Sequence, residues 1–206
     1  MIEILGTYDQ ALFVWLNSAG TPVWDPFWLV VTSKWSSIPL YLVLLWVLKQ
    51  YQNWRQVGQT LLVLALMILV TDQLANLFKY ILVQRPRPCR ETALQDQIRM
   101  VAAYCGRYGY FSAHAASAAA LTGFFIRLLK HQLALAGDSA LPGVLSRNGV
   151  HYLIAFLALW AAALGYSRIY LGVHYPLDVL TGWIVGGLLG GWVFYPLQRA
   201  VITRFS

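Results

Sequence analysis

Charged residues are scarce in this chain: only 11% of its 206 residues are Asp, Glu, Lys or Arg. A soluble domain carries roughly 25% charged residues, because water must solvate its surface. Hydrophobic residues make up 59% of the chain, which is more than a core of this size accounts for. The composition therefore excludes an ordinary soluble domain and indicates a protein embedded in lipid.

Long polar stretches are also few, and several apolar runs approach the ~18–20 residues that cross a bilayer as a helix. These runs cover 57–70 (extendable to 79), 113–125 (extendable to 129), 150–165, 179–197 and, more briefly, 36–48. Two further segments, 8–16 and 26–32, have the composition of helices at a membrane interface. No Lys or Arg precedes the first apolar residues, so we expect no cleaved signal peptide.

These runs predict an all-α fold. We expect a polytopic membrane helical bundle of about five transmembrane helices, with interfacial helices near the N-terminus. Tyr and Trp residues near the ends of the runs are typical of anchors at the membrane–water interface. We expect a single membrane-embedded domain over residues 1–206.

Acidic residues are few as well, since 8 Asp and Glu oppose 15 Lys and Arg for a formal net charge of +7. No basic face with interleaved aromatic residues lies outside the spans, so nucleic acid is not an expected partner. A partner that carries phosphate at a membrane surface explains the positive excess better.

Cysteine is nearly absent. Cys89 and Cys105 lie in one polar loop, between the second and third spans. A disulfide between them requires an oxidising compartment, and two free thiols are the alternative. Lys and Arg are balanced between the two sides, so their count does not orient the chain. If the basic residues of the 79–110 loop bind phosphate, the opposite side is cytoplasmic and this loop faces outward.

Three stretches at the ends of spans carry the side chains that can bind a ligand or take part in a reaction. They are Lys79–Pro88 (KYILVQRPRP), Phe111–His114 (FSAH) and Ser167–Asp178 (SRIYLGVHYPLD). Because successive spans alternate in direction, all three stretches reach the same membrane surface. The sequence therefore predicts that they line one pocket.

The groups in these stretches suit a phosphate ligand. Lys and Arg form charge-assisted hydrogen bonds with phosphate oxygens. Ser112 and Ala113 stand where a helix begins, and free backbone N–H groups at such a point bind anions. His114 and His174 change protonation near neutral pH. Asp178 follows His174 by one helical turn, so its carboxylate can orient the imidazole and leave the other ring nitrogen free to attack.

Each group also has a simpler interpretation. A single histidine at the end of a span is usually an interfacial residue, and R-P-R-P is often a basic turn. Asp178 alone serves as the N-cap of a helix. The joint occurrence of all three stretches favours a site.

The motifs resemble those of the type-2 phosphatidic-acid phosphatase superfamily. Ser167-Arg168, five residues, His174, three residues and Asp178 reproduce its third signature. FSAH is similar to its second signature, P-S-G-H. The first stretch resembles its signature of Lys, six residues and Arg-Pro. Here five residues separate Lys79 from Arg85 and seven separate it from Arg87, so Arg87 matches if a bulge absorbs one residue.

The resemblance implies a role for each of these residues. His174 attacks phosphorus and forms a phosphohistidine, Asp178 orients His174, and His114 protonates the leaving oxygen and then activates water. The implied phosphate ligands are Lys79, Arg87, Arg168, Ser112 and the Ala113 amide, with Arg85 as an alternative to Lys79. The family is metal-independent, so neither a metal nor another cofactor is expected.

The expected function is hydrolysis of a membrane lipid phosphate or diphosphate. Undecaprenyl diphosphate is favoured, in the bacterial inner membrane with the site facing the periplasm. Phosphatidylglycerophosphate, phosphatidate and lipid A phosphates remain alternatives. A lipid phosphotransferase and a non-catalytic lipid-binding or transport protein are the competing classes. The sequence does not determine the oligomeric state.

Two other features of the spans have open interpretations. Asp72 lies within the second span, where it either helps to orient the basic cluster or makes a structural contact with Gln73 or Asn76. Gly182, Gly186 and Gly190 form small-xxx-small patterns that permit close helix packing, within the bundle or, less favoured, in a dimer.

Overall fold

The computed structural model describes residues 2–136 and 146–205. Within these ranges the chain forms eight α-helices, and the one β-bridge, between Pro86 and Tyr108, is isolated. The helices are α1 (Ile2–Ser18), α2 (Asp25–Thr32), α3 (Ile38–Tyr51), α4 (Trp54–Leu77), α5 (Ala113–Ala136), α6 (Arg147–Tyr170), α7 (Pro176–Leu188) and α8 (Tyr195–Phe205). A π-helical turn, Phe78–Leu82, extends α4, and another, Leu189–Phe194, joins α7 to α8.

The helical membrane fold predicted from the sequence is confirmed. Among the described residues, three helical segments are long and apolar enough to cross a membrane: Trp54–Leu82, Arg147–Tyr170 and Pro176–Arg204. Ile38–Tyr51 is a shorter apolar helix. The remaining predicted span, 113–125 and extendable to 129, corresponds to α5, which has 24 residues. The total of five spans stays a prediction.

Helix α5 lies at the centre of the bundle because its side chains are small. Ala115, Ala116 and Ala118–Ala120 are all buried. The glycine face of α7 and its π-helical extension packs directly on this surface. A Cβ atom at Gly186 would overlap the backbone of Ala116, and one at Gly190 would overlap the backbone of Ala120. The prediction that these glycines serve packing within the bundle is confirmed.

Helices α1 and α2 lie at the end of the bundle that carries the three motifs. Asp9, Phe13 and Asn17 recur every four residues along α1, so they share one face, and all three are buried. Asn17 Nδ2 donates to the carbonyls of Ile169 and Tyr170, where α6 ends. On α2, the Trp28 ring packs 4.9 Å from that of Tyr166 on α6. The predicted interfacial helices therefore cover this end of the bundle.

The loop between α4 and α5 folds back over the same end. Its path is held by the Pro86–Tyr108 bridge and by a hydrogen bond from Gly109 N to Arg85 O at 2.9 Å. Cys89 and Cys105 are paired in a disulfide, with their Cα atoms 6.6 Å apart. This is the pairing that the sequence raised as a candidate.

Candidate active site

The turn between α6 and α7 presents His174. The backbone N–H groups of Val173 and His174 both donate to Arg168 O, at 3.1 and 3.2 Å. Gly172 has a φ of +82°, a conformation that glycine adopts most easily. A Cβ at this position would also lie 2.8 Å from Arg99 O. A tight, glycine-dependent turn therefore aims the imidazole back into the bundle.

His174 and Asp178 form the pair that their spacing predicts. His174 Nδ1 lies 3.3 Å from Asp178 Oδ2, and the Tyr175 N–H donates to the same oxygen at 3.0 Å. Both side chains are buried. With the proton on Nδ1, the carboxylate orients the ring and leaves Nε2 as the nitrogen that does not face Asp178.

The surroundings of His174 favour its neutral form. Burial, together with the positive charges of Arg87, Arg168 and Lys79, holds the pKa of the His174 imidazole well below its usual value. A neutral imidazole has a lone pair for attack on an electrophile.

A cavity of about 590 Å³ lies beside this pair. Its polar end includes most of the predicted site residues: Lys79, Arg87, Ala113, His114, Arg168 and His174. An apolar wall comes from α3, α4, α5 and α6, through Tyr41, Ile68, Leu121, Trp160 and Leu164. The cavity thus joins a cationic, histidine-bearing end to a wall suited to hydrocarbon.

The start of α5 contributes Ala113 and His114 to the cavity, as predicted. Ser112 is different, because it is fully buried and is not among the residues that line the cavity. Its hydroxyl oxygen accepts the Ala115 N–H at 3.4 Å, and its own N–H donates to Asp178 O at 3.0 Å. The structure therefore gives Ser112 a contact that organises the start of α5.

The first motif contains a bulge of the kind that would match Arg87 to the signature. Lys79 lies in the π-helical turn Phe78–Leu82, and such a turn holds one more residue than an α-helical turn. Lys79 and Arg87 both line the cavity. Arg87 Nε donates to Tyr108 O at 2.9 Å, which holds the guanidinium in position.

Arg85 was also a candidate phosphate ligand, and the structure directs it elsewhere. Its Nη1 lies 2.7 Å from Asp9 Oδ2 and 3.2 Å from Asp178 Oδ1. Its guanidinium carbon lies 3.9 Å from the centroid of the Tyr175 ring. Arg85 does not line the cavity, so between the two arginines of the motif Arg87 is the one that faces it.

Arg168 lines the cavity from the end of α6. Its Nη1 donates to Thr32 Oγ1 at 2.5 Å, and its buried Nε has no hydrogen-bond partner among the described residues. A buried guanidinium with an unused N–H suits an anion in the cavity.

Several residues that the sequence did not single out complete the site. One side of the cavity is closed by Thr32 at the end of α2 and by Ser33, Lys34 and Ser37 in the segment that joins α2 to α3. Asp9 lies behind the His174–Asp178 pair. Asp9 and Asn17 lie one helical turn before and after Phe13, and this position beside a bulky apolar residue was the available sign that they are buried.

Asp72 lines the cavity as well as contacting Asn76, whose Nδ2 donates to Asp72 Oδ2 at 3.2 Å. Of the two interpretations given to Asp72, the structural contact is present and the cavity position is compatible with the other. In the described part of the chain, no three His, Cys, Asp or Glu side chains form a group that could hold a metal ion.

The sequence profile of the PAP2 superfamily matches residues 60–202. A lipid A 4'-phosphatase of Bacteroides thetaiotaomicron is 32% identical over 100% of this chain and 84% of its own length. A lipid A 4'-phosphatase of Porphyromonas gingivalis is 25% identical over 94% of this chain and 74% of its own. An undecaprenyl-diphosphatase of Sulfolobus acidocaldarius is 51% identical, but over only 17% of this chain and 15% of its own.

Two solved structures share the fold. The first is a phosphatidylglycerolphosphate phosphatase of Bacillus subtilis, with a TM-score of 0.66, 19% identity and coverage of 98% of this chain and 88% of the other. The second is LpxE of Aquifex aeolicus, with a TM-score of 0.56, 24% identity and coverage of 92% and 93%. The family profile, the whole-length relatives and the membrane helices agree: the chain belongs to the PAP2 superfamily and is an integral membrane phosphatase.

Proposed function

We propose that this enzyme hydrolyses a phosphomonoester on the sugar head group of a lipid A-type glycolipid. The observation that carries the proposal is the cavity, whose cationic end holds both histidines and which also has an apolar wall from α3, α4, α5 and α6. Such a cavity suits a phosphate attached to a membrane lipid. The choice of lipid is supported by the two relatives named lipid A 4'-phosphatase, which match 100% and 94% of the chain.

Undecaprenyl diphosphate, the substrate favoured from the sequence, becomes the second candidate. Its support is the 51% identity to an undecaprenyl-diphosphatase, which extends over only 35 residues. A match of that length leaves most of the cavity walls that contact the rest of a substrate without comparison. Phosphatidylglycerophosphate and phosphatidate remain in the test panel.

The proposed reaction has two steps. In the first, His174 Nε2 attacks phosphorus, the bond from phosphorus to the lipid oxygen breaks, and His114 donates a proton to that oxygen. In the second, His114 takes a proton from water, the resulting hydroxide attacks the phosphohistidine, and the P–N bond breaks. Inorganic phosphate leaves, and both histidines return to their starting forms. Asp178 stabilises the positive charge that His174 carries in the intermediate.

Lys79, Arg87, Arg168 and the backbone N–H of Ala113 bind the phosphate oxygens in this proposal. The three cations offset the negative charge of the phosphate in the transition state. Ser112 organises the start of α5, since its hydroxyl accepts the Ala115 N–H. The proposed reaction uses no metal.

We assign the enzyme to the bacterial inner membrane, with the cavity on the periplasmic side. The supporting observation is the Cys89–Cys105 disulfide, which lies in the loop at the same end of the bundle as the cavity. Disulfides persist in the periplasm, whereas the cytosol keeps thiols reduced.

Phosphate release by the purified protein in detergent tests the function. The panel is lipid A carrying a 4'-phosphate, undecaprenyl diphosphate, phosphatidylglycerophosphate and phosphatidate, each with EDTA. His174→Ala should abolish release from the best substrate. His151→Ala is the matched control, because His151 is exposed and its Nδ1 lies 2.8 Å from Arg147 O of its own helix.

The outcomes separate the candidates. Fastest release from lipid A supports the first proposal, and fastest release from undecaprenyl diphosphate replaces it with the second. Transfer of phosphate to an added lipid alcohol, in place of water, would identify a phosphotransferase. A folded wild type that binds these lipids without turnover would instead be a binding or transport protein.

A further inference from the structure

The N-terminal helix α1 reaches the back of the proposed catalytic pair through Asp9. Asp9 lies on the buried face of α1, and its side chain is 1% exposed. Its Oδ1 accepts the N–H of Leu177 at 2.9 Å, in the first turn of α7. Its Oδ2 lies 2.7 Å from Arg85 Nη1. The proposed two-step reaction does not use this buried carboxylate.

Arg85 bridges Asp9 and Asp178. The same nitrogen, Nη1, lies 2.7 Å from Asp9 and 3.2 Å from Asp178 Oδ1, so Asp9 holds it more closely. The Tyr175 ring lies under the guanidinium, and Phe13 of α1 packs against that ring with 5.4 Å between centroids. Arg85 is thus fixed by a carboxylate and a ring, at the side of Asp178 that His174 does not contact.

We propose that Asp9 is a positioning residue for catalysis, which acts through Arg85 on the Asp178 carboxylate that orients His174. The inference rests on the proposed function of His174 as the nucleophile. The chain of contacts runs from Asp9 to Arg85 Nη1, from Arg85 to Asp178 Oδ1, and from Asp178 Oδ2 to His174 Nδ1.

The physical reason lies in the charge of this group. Two carboxylates around one guanidinium leave a net charge of about −1 behind His174, whereas Arg85 and Asp178 alone would be neutral. In a buried site this difference changes the stabilisation of a cationic phosphohistidine. Removal of the Asp9 charge should also let Arg85 move toward Asp178 and draw the carboxylate away from the imidazole.

A purely structural role for Asp9 predicts something else. Asp9 also ties α1 to the start of α7 through Leu177, so its loss could simply loosen the bundle. That role predicts lower thermal stability and weaker binding of phosphate together. A positioning role predicts slower chemistry with phosphate binding unchanged, because Lys79, Arg87 and Arg168 are not altered.

The experiment compares Asp9→Asn with Asp25→Asn in the full-length protein. Asp25 is the matched control, because it also lies on an N-terminal helix and pairs with an arginine, Arg99, at 3.0 Å without contacting Asp178. The measurements are kcat and KM on the panel lipid with fastest turnover, inhibition by inorganic phosphate, affinity for orthovanadate and the melting temperature. Phosphate reports ground-state binding, and vanadate mimics the transition state.

Asp9→Asn should lower kcat and vanadate affinity by about 10-fold, a usual cost for removing an outer partner that orients a histidine. KM and phosphate inhibition should stay at wild-type values, and Asp25→Asn should match the wild type. Adding Asp9→Asn to Arg85→Lys should cause little further loss, because both changes break one chain of contacts. Unchanged kcat and vanadate affinity in Asp9→Asn would overturn the proposal, as would parallel losses of melting temperature and phosphate binding.

Two further outcomes are also decisive. If Asp9→Asn does not fold, Arg85→Lys alone decides. A lower kcat with unchanged phosphate inhibition supports the role of Arg85 as a bridge between Asp9 and Asp178. Weaker phosphate inhibition would assign Arg85 to phosphate binding and overturn the proposal. If the wild type turns over no panel lipid, the proposed function fails, and vanadate affinity alone decides the role of Asp9. A wild type that also binds no vanadate would overturn both.

Discussion

The backbone N–H of Ser112 donates to the carbonyl oxygen of Asp178 at 3.0 Å. This bond joins the residue before α5 to the first turn of α7, so two of the three motifs meet through main-chain atoms. Backbone atoms cannot change rotamer, and the two helices are further held by the glycine face of α7. The relative position of His114 and Asp178 is therefore set by helix packing.

Gly109→Ala should impair catalysis without changing a reactive group. A Cβ at this position would lie 2.9 Å from Asp178 Oδ2 and 3.5 Å from His174 Nδ1. The carboxylate must move to accommodate it, and small displacements of a catalytic group cost about 10²-fold in rate. Turnover on the best panel lipid measures the effect.

Gly106→Ala is the control for this variant. It adds a methyl group to the same loop, where the nearest atoms belong to Arg87 and lie 3.5–3.6 Å away, an ordinary contact distance. It should retain wild-type turnover. Equal turnover in the two variants would mean that the loop does not pack against the histidine–aspartate pair as described.

Gly186→Ala should destabilise the bundle. Its Cβ would overlap the backbone of Ala116, so α5 and α7 must separate, and overpacking of this kind typically costs about 1–3 kcal/mol. Gly187→Ala is the adjacent control, since its added Cβ would lie within 4 Å of no described atom beyond its own helix backbone. In thermal unfolding in detergent, Gly186→Ala should have a lower melting temperature than the wild type, whereas Gly187→Ala should match it. A melting temperature at or above that of the wild type would contradict the close α5–α7 packing.

The Cys89–Cys105 disulfide should stabilise the loop that carries Arg87. The bond closes a loop with a sequence separation of 16, for which restriction of the unfolded chain contributes about 3 kcal/mol. The double variant Cys89→Ser/Cys105→Ser should therefore melt at a lower temperature than the wild type. A reductant should lower the melting temperature of the wild type and leave that of the double variant unchanged. Intact mass under non-reducing conditions checks the bond directly, and two free thiols would refute the disulfide.

The low pKa of His174 predicts how stability depends on pH. Burial and the neighbouring cations disfavour its protonated form in the folded protein, whereas the unfolded chain takes up a proton below about pH 6.5. This histidine therefore destabilises the folded state as pH falls below that value. When the pH is lowered from 7.5 to 5.5, the melting temperature of the wild type should fall further than that of His174→Gln, which lacks the titrating group. Equal losses would mean that His174 titrates normally.

Local spacing made part of the site predictable. Asp178 follows His174 by four residues with a proline between them, so one helical turn brings the carboxylate to the imidazole wherever that helix lies. Ala113 and His114 were predictable for a similar reason, because they are adjacent in the sequence at the start of a helix. The spacing after Lys79 fits the family signature only if a bulge absorbs one residue, and the π-helical turn Phe78–Leu82 provides such a bulge.

Long-range contacts were not predictable in this way. Arg85 and Arg87 are chemically identical and two residues apart, and only the path of the loop directs Arg87 into the cavity and Arg85 toward Asp9 and Asp178. Ser112 stands in a motif for which phosphate binding was predicted, yet its hydroxyl accepts a hydrogen bond at the start of α5.

The sequence by itself determined that the chain is helical and lies in a membrane, because the cost of burying charge in lipid restricts composition along every span. It also determined the chemical groups available, since the motifs bring histidine, aspartate and basic residues to one membrane surface. Only the tertiary structure decided which of these groups meet. Asp9 lies 168 residues before Leu177, and no local pattern encodes the packing of α1 that brings them to 2.9 Å. Such contacts arise when whole helices dock, and docking depends on the summed shape of their faces.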